Sequence, residues 1–284
     1  MIEKKVWYVW LIGRPNSGKS SFINKLIEEK VSIVSSKPQT TRKTIRWIYN
    51  DDDSQIIFFD TPWINEWTTE FLSILRQKAF DTLMEADVIV RFVDSSRRYG
   101  EEERLIEEFL DSVGKPIIKV YSKADLATKD IKGSKDFEES IKLSLEDKDT
   151  LDRLLKEIKD KLVVWPLYYD EDFYTDQDFE TRISEIIREK IFLHFNEEVP
   201  YDSFVEIWEI EDLERLIRVQ AYIYCASESQ KKIIIWKNAE MLSRIWREAR
   251  MELEEIYGKK MFLSLRVKVM PKWKKNSKLV SNMV

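Results

Sequence analysis

Residues 13–20 read G-R-P-N-S-G-K-S, a complete G-x-x-x-x-G-K-S pattern for binding phosphate groups. An apolar run precedes this loop and an amphipathic run follows it, so the loop joins a predicted buried strand to a predicted helix. The two glycines allow backbone N–H groups to point at phosphate oxygens, and the start of the helix adds a favourable dipole. Lys19 is spaced to reach the β and γ phosphates, and Ser20 to ligate Mg²⁺. The loop residues expected to hold a nucleotide are Gly13, Asn16, Ser17, Gly18, Lys19, Ser20 and Ser21.

Two shorter motifs follow, each at the end of a predicted strand. Asp60 begins the triplet D-T-P and is expected to lie in the Mg²⁺ shell opposite Ser20. Residues 122–125 read S-K-A-D and look like the N/T-K-x-D element, in which the acid accepts hydrogen bonds from the ring N–H and amino group of guanine. Adenine presents the wrong edge to Asp125, so the expected ligand is GTP or GDP rather than ATP. The base-binding candidates are Ser122, Lys123 and Asp125, together with Ser144 and Leu145 after the next predicted strand.

The segment between the first two motifs, residues 35–42, reads S-S-K-P-Q-T-T-R. A threonine here would supply the second protein ligand to Mg²⁺ when the γ-phosphate is bound. Thr40 and Thr41 both fit, and Thr41 is preferred. The residues expected to act in hydrolysis are then Lys19, Thr41 and Asp60, and the expected metal ligands are Ser20, Thr41 and Asp60.

Alternating apolar and amphipathic runs predict the elements that position these motifs. The predicted strands are Val6–Ile12, Thr44–Tyr49, Gln55–Asp60, Ala86–Val93, Pro116–Tyr121 and Ile141–Leu143. The predicted helices between them are Ser20–Glu29, Glu70–Met84, Glu101–Val113, Lys135–Glu139 and Thr150–Leu162. This order predicts an α/β domain with a mostly parallel sheet, helices on both faces, and a ligand at the carboxyl ends of the strands.

The second half of the chain has a different pattern. Residues 163–176 carry proline, acids and tyrosines, and Thr175 or Asp176 is predicted to cap a long helix that runs to Phe195. The elements predicted after it are strands at Phe204–Ile210 and Leu216–Cys225, a short Ser227–Gln230 segment, a strand at Ile233–Trp236, a helix at Ala239–Tyr257 and a strand at Phe262–Val269. From residue 215 to the end there are 16 Lys and Arg against 6 acidic residues, although the whole chain has a net charge of −5. This excess indicates either a polyanionic partner or a solvated lysine-rich face, and charge alone leaves both open.

Composition excludes several classes of protein. With 43% apolar and 35% charged residues, the chain is typical of a globular protein, and no run approaches the roughly 20 apolar residues of a membrane span. A single cysteine, Cys225, excludes an internal disulfide, and a single histidine, His194, excludes a histidine-rich metal site. No cleavage site of a secretory signal is visible, so we expect an intracellular protein.

Taken together, the motifs resemble the bacterial Era family of GTPases. Beyond the nucleotide motifs, the resemblance rests on Y-T-D-Q at 174–177, I-I-R-E-K at 186–190, E-E-V-P-Y at 197–201 and S-E-S-Q-K at 227–231, and it covers nearly the whole chain. It implies a P-loop GTP-binding domain at residues 1–168, a linker at 169–178 and a type II KH RNA-binding domain at 179–284. It also implies GTP and GDP with Mg²⁺ as ligands, and K⁺ held beside the phosphates by Asn16.

The resemblance further implies what the protein does and where. The expected partner is small-subunit ribosomal RNA near its 3′ end, rather than DNA, and the expected role is in assembly of the small ribosomal subunit. A monomer is expected, in the cytoplasm and in peripheral contact with the inner membrane. The expected RNA-binding residues are Lys231, Lys232, Trp236, Lys237, Asn238 and Lys272.

Three motifs depart from the family pattern. Trp63 replaces the glycine of D-T-P-G, and residues 236–239 read W-K-N-A where the family carries G-x-x-G. Ser122 replaces an asparagine that links the base loop to the phosphate loop, so we expect weaker guanine affinity. Three interpretations stay open: a slowly hydrolysing GTPase switch that binds ribosomal RNA, a nucleotide-binding protein with an impaired switch and RNA clamp that does not cycle, and an RNA-binding or structural protein without nucleotide function.

Overall fold

The computed structural model describes residues 3–27, 45–60, 80–81, 83–235, 239–276 and 279. The chain divides into two compact units, the first ending at Asp176 and the second beginning at Gln177. The expected division placed a linker at 169–178. In the structure, residues up to 176 belong to the first unit because they are bonded to its sheet.

The first unit is built on one seven-stranded sheet. Its strands are β1 (Glu3–Gly13), β2 (Ile45–Asn50), β3 (Ser54–Asp60), β4 (Val88–Asp94), β5 (Ile117–Ser122), β6 (Ile141–Leu143) and β7 (Val164–Pro166). The order is β2-β3-β1-β4-β5-β6, with β7 also paired to β1. Only β2 and β7 run antiparallel to their neighbours, so the predicted mostly parallel sheet is confirmed.

Helices cover both faces of this sheet. They are α1 (Lys19–Ile27), α2 (Glu101–Asp111), α3 (Lys129–Lys132), α4 (Lys135–Glu139) and α5 (Lys148–Lys159). β3 and β4 are buried along their whole length, as expected for parallel strands covered on both sides. One core cluster contains Phe22 of α1 and Leu154 of α5, and another contains Ile106 of α2. The sheet therefore presents the carboxyl ends of β1, β3, β4 and β5 along one edge.

The segment after α5 is attached to the sheet rather than free. The Gln55 side chain is fully buried, and its Oε1 accepts hydrogen bonds from the backbone N–H groups of Tyr168 (2.9 Å) and Tyr169 (3.1 Å). Thr175 forms a β-bridge with Trp47 of β2, and residue 176 donates its N–H to the residue 46 carbonyl (3.3 Å). These contacts explain why the first unit extends to residue 176.

The predicted cap of the long helix is wrong by two to three residues. Helix α6 (Phe179–His194) begins after Asp178, whose carboxylate accepts a hydrogen bond from the backbone N–H of Thr181 at 2.6 Å. Thr175 and Asp176 cannot cap it because both are bonded to β2. The predicted existence and length of the helix are otherwise close to those observed.

The second unit has a three-stranded sheet covered by helices on one face. Its remaining elements are β8 (Phe204–Asp212), β9 (Leu216–Cys225), α7 (Glu228–Ile235), α8 (Glu240–Tyr257) and β10 (Lys260–Val269). The strand order is β10-β9-β8, with β8 antiparallel and β10 parallel to β9. Its core joins alternate residues of β9 and β10 to apolar residues of α6, α7 and α8. This α+β arrangement confirms the predicted fold class of the second domain.

One predicted strand in this unit is wrong. Residues Ile233 to Ile235 belong to helix α7, and Trp236 lies outside the described residues. Gln230 and Ile234, four residues apart, are the buried positions of α7, and this is helical spacing. The β-branched run suggested a strand, but packing of Ile234 in the core decides the conformation. The helices in the described part of the chain do not have the length and hydropathy of a membrane span.

Candidate nucleotide-binding site

The phosphate loop connects β1 to α1 at the carboxyl edge of the first sheet. A Cβ atom on Gly13 would lie 2.5 Å from the Phe92 carbonyl oxygen, so only glycine fits at this close approach to β4. Gly18 has φ +97°, a conformation that L side chains rarely adopt, and Asn16 has φ 64°. The two glycines therefore stand where the loop needs them: Gly13 at a close approach to β4, and Gly18 at a positive φ.

Lys19 lies inside this loop. Its Nζ donates hydrogen bonds to the carbonyl oxygens of Gly13 (2.9 Å) and Arg14 (3.1 Å), and the residue is buried. Burial lowers the pKa of Lys19, although the nearby carboxylates of Asp60 and Glu103 act in the opposite direction. The ammonium is thus held by the backbone of the loop, and its contact with phosphate oxygens stays a prediction.

Ser20 and Asp60 lie side by side, as expected for a shared magnesium site. The Ser20 hydroxyl donates to Asp60 Oδ2 at 2.8 Å, and Asp60 is 1% exposed. The second carboxylate oxygen, Oδ1, is buried and has no hydrogen-bond partner among the described residues. Burial raises the pKa of Asp60, against the opposing effects of Lys19 and the Ser20 hydrogen bond. A hydroxyl and a carboxylate side by side, with one carboxylate oxygen that accepts no hydrogen bond from the described residues, are oxygen ligands of the kind that Mg²⁺ prefers. Thr41, the third expected ligand, lies outside the described residues.

The loop after β5 is tied to the phosphate loop by two side chains. The buried Ser122 hydroxyl donates to the Ser17 carbonyl oxygen at 2.6 Å. Lys123 Nζ donates to the Asn16 carbonyl oxygen at 2.7 Å. A hydroxyl at position 122 therefore also links the two loops. The weaker guanine affinity expected from the missing amide stays a prediction.

The remaining base-binding candidates occupy the two loops after β5 and β6. Asp125 is exposed, in a 3₁₀ turn (Ala124–Leu126) that follows Lys123, whose φ is 52°. The Ser144 backbone is fixed by Thr150, whose Oγ1 accepts from the Ser144 N–H (3.1 Å) and donates to the Ser144 carbonyl (2.9 Å). Leu145 packs against the core of the first unit. The contacts of these residues with a base stay predictions.

Comparison with known proteins covers both units. The family described as "50S ribosome-binding GTPase" matches residues 8–123, and the KH domain family matches residues 198–274. GTPase Era of Thermoanaerobacter sp. (strain X514) is 39% identical over 98% of this chain and 96% of its own length. GTPase Era of Caldanaerobacter subterraneus subsp. tengcongensis is 40% identical over 96% of this chain and 95% of its own length. This chain belongs to the Era family of GTPases.

Two solved Era structures have the same fold over the whole chain. One is Era in complex with MgGDPNP and nucleotides 1506–1542 of 16S ribosomal RNA, with a TM-score of 0.90, 33% identity, and coverage of 99% of this chain and 98% of that one. The other is an Aquifex aeolicus Era variant bound to GDP and AlF4⁻, with a TM-score of 0.89, 33% identity and 98% coverage of each chain. Both units of this Era family member are thus covered by one similar structure.

Sequence reasoning missed Asp94, which anchors the base loop. Asp94 ends β4, is 1% exposed, and its Oδ2 accepts a hydrogen bond from Lys123 Nζ at 2.8 Å. Burial raises the pKa of Asp94, but the ion pair with Lys123 and hydrogen bonds from Ser96 outweigh this effect and hold the pKa below its usual value. An acid that directly follows a buried apolar strand was the signal that could have identified it.

A second missed feature is the buried ion group behind the phosphate loop. Arg14 is 4% exposed, and its Nε lies 2.9 Å from Oε1 of Glu103, which is fully buried on α2. Arg91 of β4 lies on the other side of the same carboxylate, 3.4 Å from Oε2. Burial raises the pKa of Glu103, while Arg14 and Arg91 favour the carboxylate. The signal was Glu103 on the buried stripe of α2, spaced three and seven residues before Ile106 and Leu110.

The expected RNA-binding residues fall in two places of the second unit. Lys231 and Lys232 lie on α7, and Lys272 is exposed after the end of β10. The other three, Trp236, Lys237 and Asn238, and also Trp63, lie outside the described residues. The KH fold of this unit agrees with the expected RNA-binding role, and the contacts of individual lysines stay predictions.

Proposed function

We propose that this Era family member binds GTP with Mg²⁺, hydrolyses it slowly, and uses the cycle to control binding of its second unit to small-subunit ribosomal RNA during assembly of that subunit. The observation that carries this proposal is the likeness over 99% of the chain to Era in complex with MgGDPNP and 16S ribosomal RNA. The site supports it independently, because the phosphate loop, the Ser20–Asp60 pair and the base loop lie at the same edge of the sheet.

Guanine specificity is assigned to Asp125. Its carboxylate is exposed on the turn after Lys123, and this turn is fixed to the phosphate loop by Lys123 and Ser122. Fixing the turn before the base arrives lowers the entropic cost of binding. An exposed carboxylate in that position accepts from two donors on guanine, whereas adenine lacks the matching pair.

Hydrolysis needs little covalent chemistry from this protein, since phosphoryl transfer is catalysed mainly by positioning and charge neutralisation. Lys19 contributes a fixed positive charge at the β and γ phosphates. Ser20 and Asp60 would hold Mg²⁺, which supplies further positive charge at the same oxygens when it is bound. Ile64, where many GTPases carry a glutamine, cannot orient the attacking water with its side chain, which is consistent with slow intrinsic turnover.

Three finer features belong to the same proposal. K⁺ stimulates hydrolysis through Asn16 of the phosphate loop. The protein acts as a monomer in the cytoplasm. It makes peripheral contact with the inner membrane. The first is tested by comparing hydrolysis rates in potassium and sodium buffers of equal ionic strength, the second by sedimentation, and the third by co-sedimentation with vesicles.

The coupling of nucleotide and RNA is tested directly by titration. The full chain is added to a fluorescent RNA that carries the 3′-terminal small-subunit sequence, with Mg²⁺ and either GDP or GDPNP. We expect different RNA affinities with the two nucleotides, and no nucleotide dependence for Lys19→Ala, which retains the second unit unchanged. Equal affinity with both nucleotides in the native protein would support the interpretation of an impaired switch.

A further inference from the structure

The side chain of Arg14, the second residue of the phosphate loop, lies inside the protein. It is 5% exposed, and its Nε forms an ion pair with Glu103 Oε1 at 2.9 Å. Its Nη1 donates a hydrogen bond to the Arg98 carbonyl oxygen at 3.2 Å. Glu102 lies 3.9 Å from the same Nε, but its side chain is 37% exposed, so solvent weakens this pair. The guanidinium is therefore bonded to α2 and to the segment that precedes it.

The backbone of Arg14 takes part in the shape of the loop. Its carbonyl oxygen accepts hydrogen bonds from Lys19 Nζ at 3.1 Å and from the Ser17 backbone N–H at 3.2 Å. Lys19 is the residue expected to reach the phosphates. Arg14 therefore joins this lysine, through its carbonyl, to a carboxylate on α2, through its side chain.

The ion pair lies on the opposite side of the sheet from α1. Ile12 of β1 packs in one core cluster with Ile106 of α2, whereas Leu11 packs in another with Phe22 of α1. Because Arg14 pairs with a residue of α2, it lies on the α2 side. The loop is thus held on both faces of the sheet: the chain continues into α1 on one face, and an ion pair fixes it to α2 on the other.

Glu103 is itself fixed by a second guanidinium. It is fully buried, and Arg91 Nη2 donates to its Oε2 at 3.4 Å and to its backbone carbonyl oxygen at 3.2 Å. Arg91 lies on β4, directly opposite Ile12 of β1 in the strand register. A buried charge that loses its partner is costly, so the carboxylate and both guanidiniums hold one another in place. The sheet and α2 therefore determine where the Arg14 side chain lies.

We propose that Glu103 is a positioning residue for nucleotide binding, acting through Arg14 to hold the phosphate loop in the shape that receives phosphate. The proposal rests on the proposed GTP-binding function and adds a residue outside the nucleotide motifs. A loop that is ordered in advance lowers the entropic cost of binding. The charge of Glu103 acts in the opposite sense, because a carboxylate near Lys19 repels a phosphate there. The two effects predict changes of opposite sign when this charge is removed.

The test is Glu103→Gln, which keeps the size of the side chain and removes its charge. The full chain is titrated with fluorescent GDP and Mg²⁺. Positioning predicts about tenfold weaker GDP binding, whereas loss of a repelling charge alone predicts tighter binding. In steady-state hydrolysis, KM for GTP rises by the same factor and kcat stays within about twofold of the native value, because the loop binds phosphate in both the ground state and the transition state.

Two further variants test the route through Arg14. Glu103→Asp keeps the charge but shortens the side chain by one methylene, and we expect about fivefold weaker GDP binding. This variant also carries the test if Glu103→Gln does not fold, which thermal unfolding shows. Arg14→Met removes the partner. If Glu103 acts through Arg14, adding Glu103→Gln to Arg14→Met weakens GDP binding no further.

The matched control is Glu107→Gln, which makes the same change one helical turn along α2. Glu107 belongs to the same ion group, but its ion-pair partners are Arg91 at 2.6 Å and Lys119 at 3.5 Å. Its GDP affinity is expected to stay within about twofold of the native value, since the contact with the phosphate loop is intact.

Three outcomes would overturn the proposal: GDP binding by Glu103→Gln that is as tight as in the native protein or tighter, an equal loss in Glu107→Gln, or losses that multiply in the double variant. The proposed function has a separate outcome. If the native chain binds no GDP, the GTP-binding function fails as well. If the native chain binds GDP and Glu103→Gln binds it equally, only the role of Glu103 is lost.

Discussion

Substitution of Ser122 by alanine tests how the two nucleotide loops are held together. The Ser122 hydroxyl donates to the Ser17 carbonyl oxygen at 2.6 Å and lies 3.2 Å from the Val93 carbonyl oxygen. Ser122 is 3% exposed, so water does not replace the lost donor. Removal of the hydroxyl leaves the Ser17 carbonyl without this partner, which costs about 1–3 kcal/mol.

This cost affects both stability and nucleotide binding. We expect the free energy of unfolding of Ser122→Ala to fall by about 1–3 kcal/mol. Because the phosphate loop must be ordered before it binds, a similar cost is expected in GDP affinity, which falls about 5- to 150-fold. Fluorescent GDP titration and urea unfolding measure the two effects. Ser122→Asn, which restores the residue common in the family, is expected to bind GDP at least as tightly as the native protein.

The chain offers a close control in Ser95. This residue is fully buried, and its backbone N–H donates to the Ser122 carbonyl at 3.0 Å, but its hydroxyl has no partner among the described residues. Ser95→Ala is therefore expected to leave stability and GDP affinity nearly unchanged. Equal GDP affinity of Ser122→Ala and the native protein would refute the role of this hydroxyl in linking the loops.

Three further substitutions test the site. Lys19→Ala is expected to lower GTP and GDP affinity by about 100-fold or more, measured by the same titration, because a charged hydrogen-bond donor to phosphate is lost. Gly13→Ala is expected to lower the free energy of unfolding by about 1–3 kcal/mol in urea, since its Cβ would lie 2.5 Å from the Phe92 carbonyl oxygen. Asp94→Asn breaks the ion pair with Lys123 and is expected to lower stability by about 1–3 kcal/mol at pH 7. The pKa of Asp94 is lowered in the folded state, so the difference in free energy of unfolding between the native protein and Asp94→Asn is full at neutral pH and shrinks as pH falls below about 4. A difference that stays constant down to about pH 2 would contradict the role of this ion pair.

The sequence was sufficient for the first sheet because its strands are apolar along their length. β3 and β4 are buried at every position, and short apolar runs between amphipathic segments are typical of strands in a sheet that helices cover on both faces. The phosphate loop was predictable because its motif residues follow a fixed spacing within eight residues, and the φ of Gly18 is one that glycine adopts readily. The close approach of Gly13 to Phe92 of β4, by contrast, is set by the fold.

Predictions failed where distant residues decided the outcome. Ile233 to Ile235 have the local preference of a strand, but they form a helix that buries Ile234 in the core of the second unit together with Gln230. Thr175 and Asp176 are good helix caps in isolation, but β2 takes both as partners. In both cases the deciding contact is made with residues distant in sequence: the core of the second unit for Ile234, and β2 for Thr175 and Asp176.

The site shows the same limit. Asp94 and Lys123 are separated by 29 residues, and Arg14 and Glu103 by 89, so their pairing follows from strand order rather than from any motif. The link formed by Ser122 could not be predicted either, because the reach of a short hydroxyl depends on how closely β5 brings it to the phosphate loop. Spacing predicted the residues expected to meet the nucleotide, and the fold showed which residues hold them in place.

The most direct test of the central claim is a nucleotide competition titration on the full chain. Fluorescent GDP is bound in the presence of Mg²⁺ and displaced with unlabelled GTP, GDP or ATP. A working guanine site predicts micromolar or tighter binding that GTP and GDP displace and ATP does not. Displacement by ATP at the same concentration as GTP, or no binding of any nucleotide, would contradict the assignment of this chain as a guanine-nucleotide switch.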